Sequence, residues 1–202
     1  MADRAQLKMY WFTDSPMREL ELPEGFSYSH LDPKTDIQAW FDCLRGGQLV
    51  DWTTEAMPAY EREILNFMDH SVVPETDVWF LDYAGEHIGT ITGFIRKDGK
   101  GDMHQVAMRA DWRGKGYGKY LCPVVQRDLR ARGVKVVELT SGEGRPGALK
   151  DYLRAGFLPV EYDVGMQERW ENVLWMLKLD SVRMVNEDGT PYRMLYRPEK
   201  GR

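Results

Sequence analysis

The chain has 202 residues, 43% of them hydrophobic and 29% charged, and a formal net charge of −5. This is the balance of a globular chain long enough to bury a core, and its acidity argues against a general nucleic-acid binder. No apolar run approaches the roughly 18–20 residues that span a bilayer, and Met1-Ala2-Asp3-Arg4 opens no signal-peptide core, so a cytoplasmic protein with no membrane partner is expected.

Residues 7 to 12 and 26 to 31 read as short strands. Thr35-Asp36-Ile37-Gln38 has the capping-box pattern and Gly46-Gly47 supplies a stop, which together predict a helix over 36–45. Pro58 opens a second helix, with Tyr60, Ile64, Phe67 and Met68 as its stripe. Asp77 to Tyr83 and His87 to Ile95 flank Ala84-Gly85-Glu86 as a hairpin. A second turn, Lys97 to Gly101, leads into a strand from Asp102 to Met108.

The stretch from Asp111 to Tyr120 sets Gly114, Gly116 and Gly118 among basic residues, and a helix-like run extends from Tyr117 to Arg132. Pro123 lies well inside that run and predicts a kink near Lys119. Val134 to Ser141 reads as a strand. Pro146 to Ala155 reads as a helix that ends with Gly156 at C′. Glu168 to Lys178 reads as a helix with Trp170, Val173, Leu174 and Leu177 on one face. Arg183 to Val185 and Tyr192 to Tyr196 form a hairpin around Asp188-Gly189. Cys43 and Cys122 fall in predicted helices and read as buried thiols, and no Cys/His group has metal spacing.

A strand that turns through glycines into a helix makes a phosphate cradle. Free N–H groups and the positive end of the helix dipole face the anion, and glycine lets the backbone come close. The spacing fails the Walker A pattern, because Tyr120 follows Gly118-Lys119 and Arg113 stands where the first Gly belongs. It also fails the Rossmann G-x-G-x-x-G. What fits is Arg-x-x-Gly-x-Gly, as Arg113, Gly116 and Gly118. This resembles the pyrophosphate loop of the GNAT superfamily of acyl-CoA-dependent N-acyltransferases. Tyr152-Leu153-Arg154-Ala155-Gly156-Phe157 resembles the family's Tyr-x-x-x-Gly-Phe helix end.

The resemblance covers roughly residues 77 to 165. It implies an α/β (α+β) fold, with a central, mostly antiparallel mixed sheet flanked by helices and an extra strand at the N-terminus. One domain over 1–202 is expected, with 77–165 as its acyl-CoA-binding core and 166–202 as a C-terminal extension. Acetyl-CoA is the implied co-substrate and an amine the acceptor, with direct transfer in a ternary complex. The pyrophosphate would lie on Arg113, Gly114, Lys115, Gly116, Tyr117, Gly118 and Lys119. Main-chain groups of Val106, Ala107 and Met108 would contact the acetyl and pantetheine portion.

Tyr152 matches the family tyrosine near the CoA sulfur, where a phenol can act as acid. Three residues compete as base, in the order Glu138, His104, Asp102, and water is a fourth route. Glu138 and Asp102 occupy strand positions where family members carry a catalytic Glu. His104 shares its strand face with Asp102, and histidine's ordinary pKa near 6.5 suits the work. The need is real: a lysine-like amine is only about one part in a thousand neutral at pH 7.4, a cost of about 4 kcal/mol.

Arg145 stands where many members carry an Asn. It is expected to reach a CoA phosphate or an acidic substrate, or to remain in solvent. Trp40, Trp52, Tyr60 and Glu61 are candidates for an acceptor pocket suited to a small-molecule or peptide amine, or else core. The resemblance also admits a homodimer through 166–202. Two other readings stay open: a non-catalytic acyl-CoA sensor or scaffold, and an unrelated nucleotide-phosphate binder.

Overall fold

The computed structural model describes residues 5–50, 55–61 and 77–199. Trp52, Ile64, Phe67 and Met68 lie outside the described residues. In chain order the strands are β1 (Leu7–Phe12), β2 (Phe26–His30), β3 (Val78–Tyr83), β4 (Glu86–Ile95), β5 (Gly101–Met108), β6 (Val136–Ser141), β7 (Leu158–Glu161), β8 (Ser181–Asn186) and β9 (Pro191–Tyr196). The helices are α1 (Ile37–Gly46), α2 (Ala56–Tyr60), α3 (Leu121–Ala131), α4 (Pro146–Arg154) and α5 (Met166–Leu177). The described strands form one sheet in the order β2-β3-β4-β5-β6-β1-β7-β8-β9. This is the mixed, mostly antiparallel sheet flanked by helices that the sequence implied. No described helix is long and apolar enough to cross a membrane.

Alternation along β1 explains its place. Leu7, Met9 and Trp11 are fully buried on one face and join Leu129 of α3, Leu149 of α4 and Trp170 of α5 in the largest core cluster. Each such side chain contributes about 1.5–3 kcal/mol on burial. The extra N-terminal strand is therefore no peripheral addition. It pairs antiparallel with β6 from Leu7↔Ser141 to Phe12↔Val136 and with β7 on its other side. A second cluster, with Trp40, Phe41, Leu44 and Tyr60, lies under α1 and α2 against Val78 and Phe80. Trp40 and Tyr60 are thus core and supply no wall for an acceptor.

Two helix starts differ from expectation. Asp36 is the N-cap of α1 but caps nothing with its side chain. Its carboxylate instead accepts from the Asp32 N–H at 2.8 Å, so the capping box with Gln38 does not form. Residues Gly118–Tyr120 form a short 3-10 turn and α3 starts at Leu121. Pro123 is then in the first turn, where a missing N–H costs nothing, and the expected kink at Lys119 is not needed.

Both cysteines are buried and free, and burial pushes the Cys43 thiol up to about 12. Neither serves as a nucleophile in that state.

Candidate active site

The site begins where two parallel strands part. β5 and β6 pair only at Gly101↔Val137 and Asp102↔Glu138. Beyond that point the strands diverge, and their facing peptide groups lose a strand partner. The gap is a cavity of about 320 Å³ lined by Met103 to Val106, Thr140 to Gly142, Arg145 and Tyr152, with Leu44, Leu49 and Val50 on one side. That volume is in the range of small-molecule sites.

β5 is bent at the cavity. Its register against β4 slips between Thr90 and Thr92, and Gln105 has a φ of 55°. Such a bulge re-aims backbone groups. One of them, the Val106 carbonyl, accepts from Arg145 Nη2 at 3.1 Å. Arg145 is therefore turned into the gap. Of the three expectations for Arg145, the side chain left in solvent is the one this geometry does not match.

The glycine loop continues directly from β5. Gly114 and Gly116 have φ of 73° and 81°, where a side chain is strained, and a Cβ at either would meet nothing within 4 Å. Their conformation is needed by the turn, and the space above them is open to a ligand. Arg113, Gly114, Lys115 and Gly116 are exposed. The Arg113 side chain, however, turns back and donates from Nη1 to the Gly46 carbonyl at 2.9 Å, capping the end of α1. Lys115 Nζ sits 4.8 Å over the Trp112 ring. Only glycine fits at position 46, since a Cβ there would meet Ala110 N at 2.5 Å and Met108 O at 2.6 Å. That approach sets α1 against the end of β5 and closes one side of the cavity.

The three base candidates fall in different places. His104 lines the cavity. Asp102 shares its face of the sheet but sits at the closed end of the split, paired in register with Glu138. Burial pushes the Asp102 carboxyl up to about 7. His104 and Arg96 oppose that rise, and the charge of Glu138 adds to it. Glu138, the first preference from sequence, is held in a polar chain. Arg96 Nη1 lies 3.1 Å and Lys100 Nζ 3.9 Å from its oxygens, and Lys100 also donates to the Tyr10 hydroxyl at 3.2 Å. It does not line the cavity. On the opposite side Tyr152, 3% exposed, lines the cavity from α4. Burial, with the neighbouring Cys122, holds its phenol well above the ordinary value.

The raised carboxyl at Asp102 carries a stability signature. An acid whose folded pKa exceeds its unfolded value of about 3.8 disfavours folding once it is charged. The penalty is absent below pH 3.8, grows as pH rises, and is complete above about 7. Asp102→Asn should therefore melt higher than the native chain at pH 8 and lose that advantage by pH 4. Thermal melts at both values check this, and a difference independent of pH would contradict it.

Sequence reasoning missed three residues. Gln6, just before β1, lines the mouth of the cavity. Arg169, a buried arginine on α5, donates from Nη1 to the Ala5 carbonyl at 2.7 Å and from Nε to Glu143 at 2.5 Å. It ties the N-terminal strand and the loop before α4 together beside Arg145. Tyr162 donates to the Gln6 carbonyl. No local spacing links these positions.

Comparison with known proteins agrees with this geometry. Residues 34–157 match the model of the acetyltransferase (GNAT) family. Mycothiol acetyltransferase of Thermomonospora curvata is 29% identical over 168 residues, 76% of this chain and 51% of that protein. The mycothiol acetyltransferase of Thermobispora bispora is 28% identical over 181 residues, 80% and 56% of the two chains. The chain thus spans about half the length of these curated relatives. Among solved structures, a GCN5-related N-acetyltransferase from Sphaerobacter thermophilus superposes with a TM-score of 0.60 at 27% identity, over 77% of this chain and 49% of that one. A family match across more than half of the residues, centred on a split sheet and a glycine loop, leaves one conclusion: the chain belongs to the GNAT family of acetyltransferases.

Proposed function

We propose that the chain moves an acetyl group from acetyl-CoA directly to the nitrogen of an amine, with both substrates bound together. The observation that carries this reading is the cavity between β5 and β6, which has Tyr152 on one side, His104 on the other and the glycine loop at the end of β5. The N–H groups of Gly114 to Lys119 would hold the pyrophosphate. Main-chain groups of Val106 to Met108 would hold the thioester arm, whose amides would compete with Arg145 for the Val106 carbonyl.

The acceptor arrives as an ammonium ion and must first lose a proton. His104 is the base best placed for this, directly or through water, with the Asp102 carboxyl behind it on the same strand face. The free amine attacks the thioester carbon, the C–N bond forms and the C–S bond breaks. Tyr152 donates to the departing sulfur, and the second proton, which leaves the nitrogen as the amide forms, returns through water to the Tyr152 oxygen, while the proton taken by His104 passes to solvent. Residues 77–165 hold the cofactor, and 166–202 support the site through Arg169. The two mycothiol acetyltransferases favour the small-molecule branch of the acceptor class.

The test is acetyl-CoA with a chemically diverse amine panel, read by free thiol release and product mass. Turnover on one class of amine is expected. Tight acetyl-CoA binding with no transfer to any amine, peptide or protein would favour the sensor reading. Thermal protection by ATP but not by CoA would sink the proposal.

A further inference from the structure

Arg145 brings a charge into the cavity that the chain does not balance there. Among the described residues that line the gap, it alone carries a permanent charge; the others are apolar or neutral, apart from His104, which titrates. Arg145 is half-buried. Glu143, two residues earlier, is held by Arg169, and among the described residues no carboxylate makes an ion pair with Arg145. By contrast, Arg96 meets Glu138 and Arg109 meets Asp111. No side chain caps α4, so the positive end of that helix adds to the field around Arg145.

A guanidinium offers five N–H donors in a fork that fits a carboxylate. Here its Nη2 is on the Val106 carbonyl. The amides of the thioester arm would compete for that carbonyl, and entry of acyl-CoA would release the fork. The arm between pyrophosphate and sulfur is uncharged, so the cofactor brings nothing into the gap that neutralises the guanidinium. The counter-charge then falls to the acceptor. One guanidinium balances one carboxylate. A phosphate would bring a second negative charge that no described lining residue meets while His104 is neutral as the base. The acceptor also loses its ammonium charge before attack, so an amine with a carboxylate reacts as a net anion. Leu44, Leu49 and Val50 add an apolar wall on the α1 side.

We propose that the acceptor is a small amine bearing a carboxylate, an amino acid with an apolar side chain, and that Arg145 reads the carboxylate. The inference rests on the acetyl-transfer reading above and names its acceptor class. The amine end goes to His104, the carboxylate to Arg145 and the side chain to the apolar wall.

The experiment measures acetyl transfer to leucine, methionine and phenylalanine, each beside its carboxamide. It uses the native chain, R145Q and R145K, with acetyl-CoA binding measured separately. The amide is a stringent control: it lacks the negative charge that stabilises the ammonium, so its amine loses the proton more readily. The native chain should prefer the acid by about 10- to 100-fold in kcat/KM, the scale of a charge-assisted pair. R145Q should erase that preference, mainly through KM for the acid. R145K should keep part of it, because it keeps the charge without the fork. Amides used as well as acids by the native chain would overturn the inference. So would an equal fall of kcat on acids and amides in R145Q, which would place Arg145 on the departing sulfur instead. Acetyl-CoA bound without transfer to any acid would overturn the inference and leave the cofactor reading standing. Failure to bind acetyl-CoA would overturn both. Should neither variant fold, the comparison of acid with amide on the native chain still decides.

Discussion

Tyr152→Phe is expected to lower turnover by about 10²-fold, the scale of one lost acid or transition-state donor, with acetyl-CoA affinity unchanged within about twofold. The phenol lines the cavity from α4 and is almost fully buried, so removing one oxygen leaves the packing in place. Burial holds its pKa well above the usual value, and the group therefore keeps its proton throughout the assay range. A donor of that kind does not readily give its proton to a thiolate in water. Inside the cavity the thiolate is desolvated as well, and the same loss of water raises its basicity. On the proposed mechanism the phenol stabilises the leaving sulfur first by a hydrogen bond and completes the transfer as charge develops. The check is a split of kcat from KM in steady-state kinetics, with CoA binding measured separately. A variant that turns over at the native rate would remove Tyr152 from the reaction. One that loses cofactor affinity instead would make it a binding residue.

The second large effect is on stability. Arg169→Ala should lower the melting temperature by about 4–8 °C, from a loss of about 2 kcal/mol at roughly 2–4 °C per kcal/mol for a chain of this size. The side chain is 7% exposed and bridges Ala5 and Glu143. Its removal leaves a carbonyl and a carboxylate short of a donor. The carboxylate is one-third exposed, so water makes up part of the loss, and the figure stays below that of a fully buried pair. Arg169→Lys should recover little, because one ammonium on a flexible stem does not reproduce the guanidinium fork that reaches both acceptors. Differential scanning calorimetry of both variants decides it. A native-like melt for Arg169→Ala would show that the bridge contributes nothing.

The contrast between these two residues shows where the sequence was legible. The glycine loop, the helix ending in Tyr152 and the hairpin at Ala84-Gly85 are local. Each is set by residues within a few positions of one another, through φ values that glycine permits and caps that stop a helix. They could be read directly, and with the resemblance they led to the family and the fold. Face alternation also placed His104 and Asp102 together on β5.

Partners across the chain were not legible in the same way. Alternation tells which side chains of β1 face inward, but it does not tell which strands flank it. Hydrogen bonds and burial in the assembled sheet put β1 between β6 and β7. That placement brings Gln6 to the cavity and lets Arg169 reach Ala5 across 164 positions. Glu138 looked available as a base until the turn after β4 delivered Arg96 and Lys100 to it. Trp40 and Tyr60 could be read from sequence as pocket walls or as core, and the packing of α1 and α2 over β3 makes them core. By itself the sequence determined most of the elements and the glycine loop, because these depend on local backbone geometry, and the family came from the resemblance those motifs carry. Only the tertiary structure decided which charged groups are neutralised and which face the cavity, because a side chain's role depends on the groups that the fold packs around it.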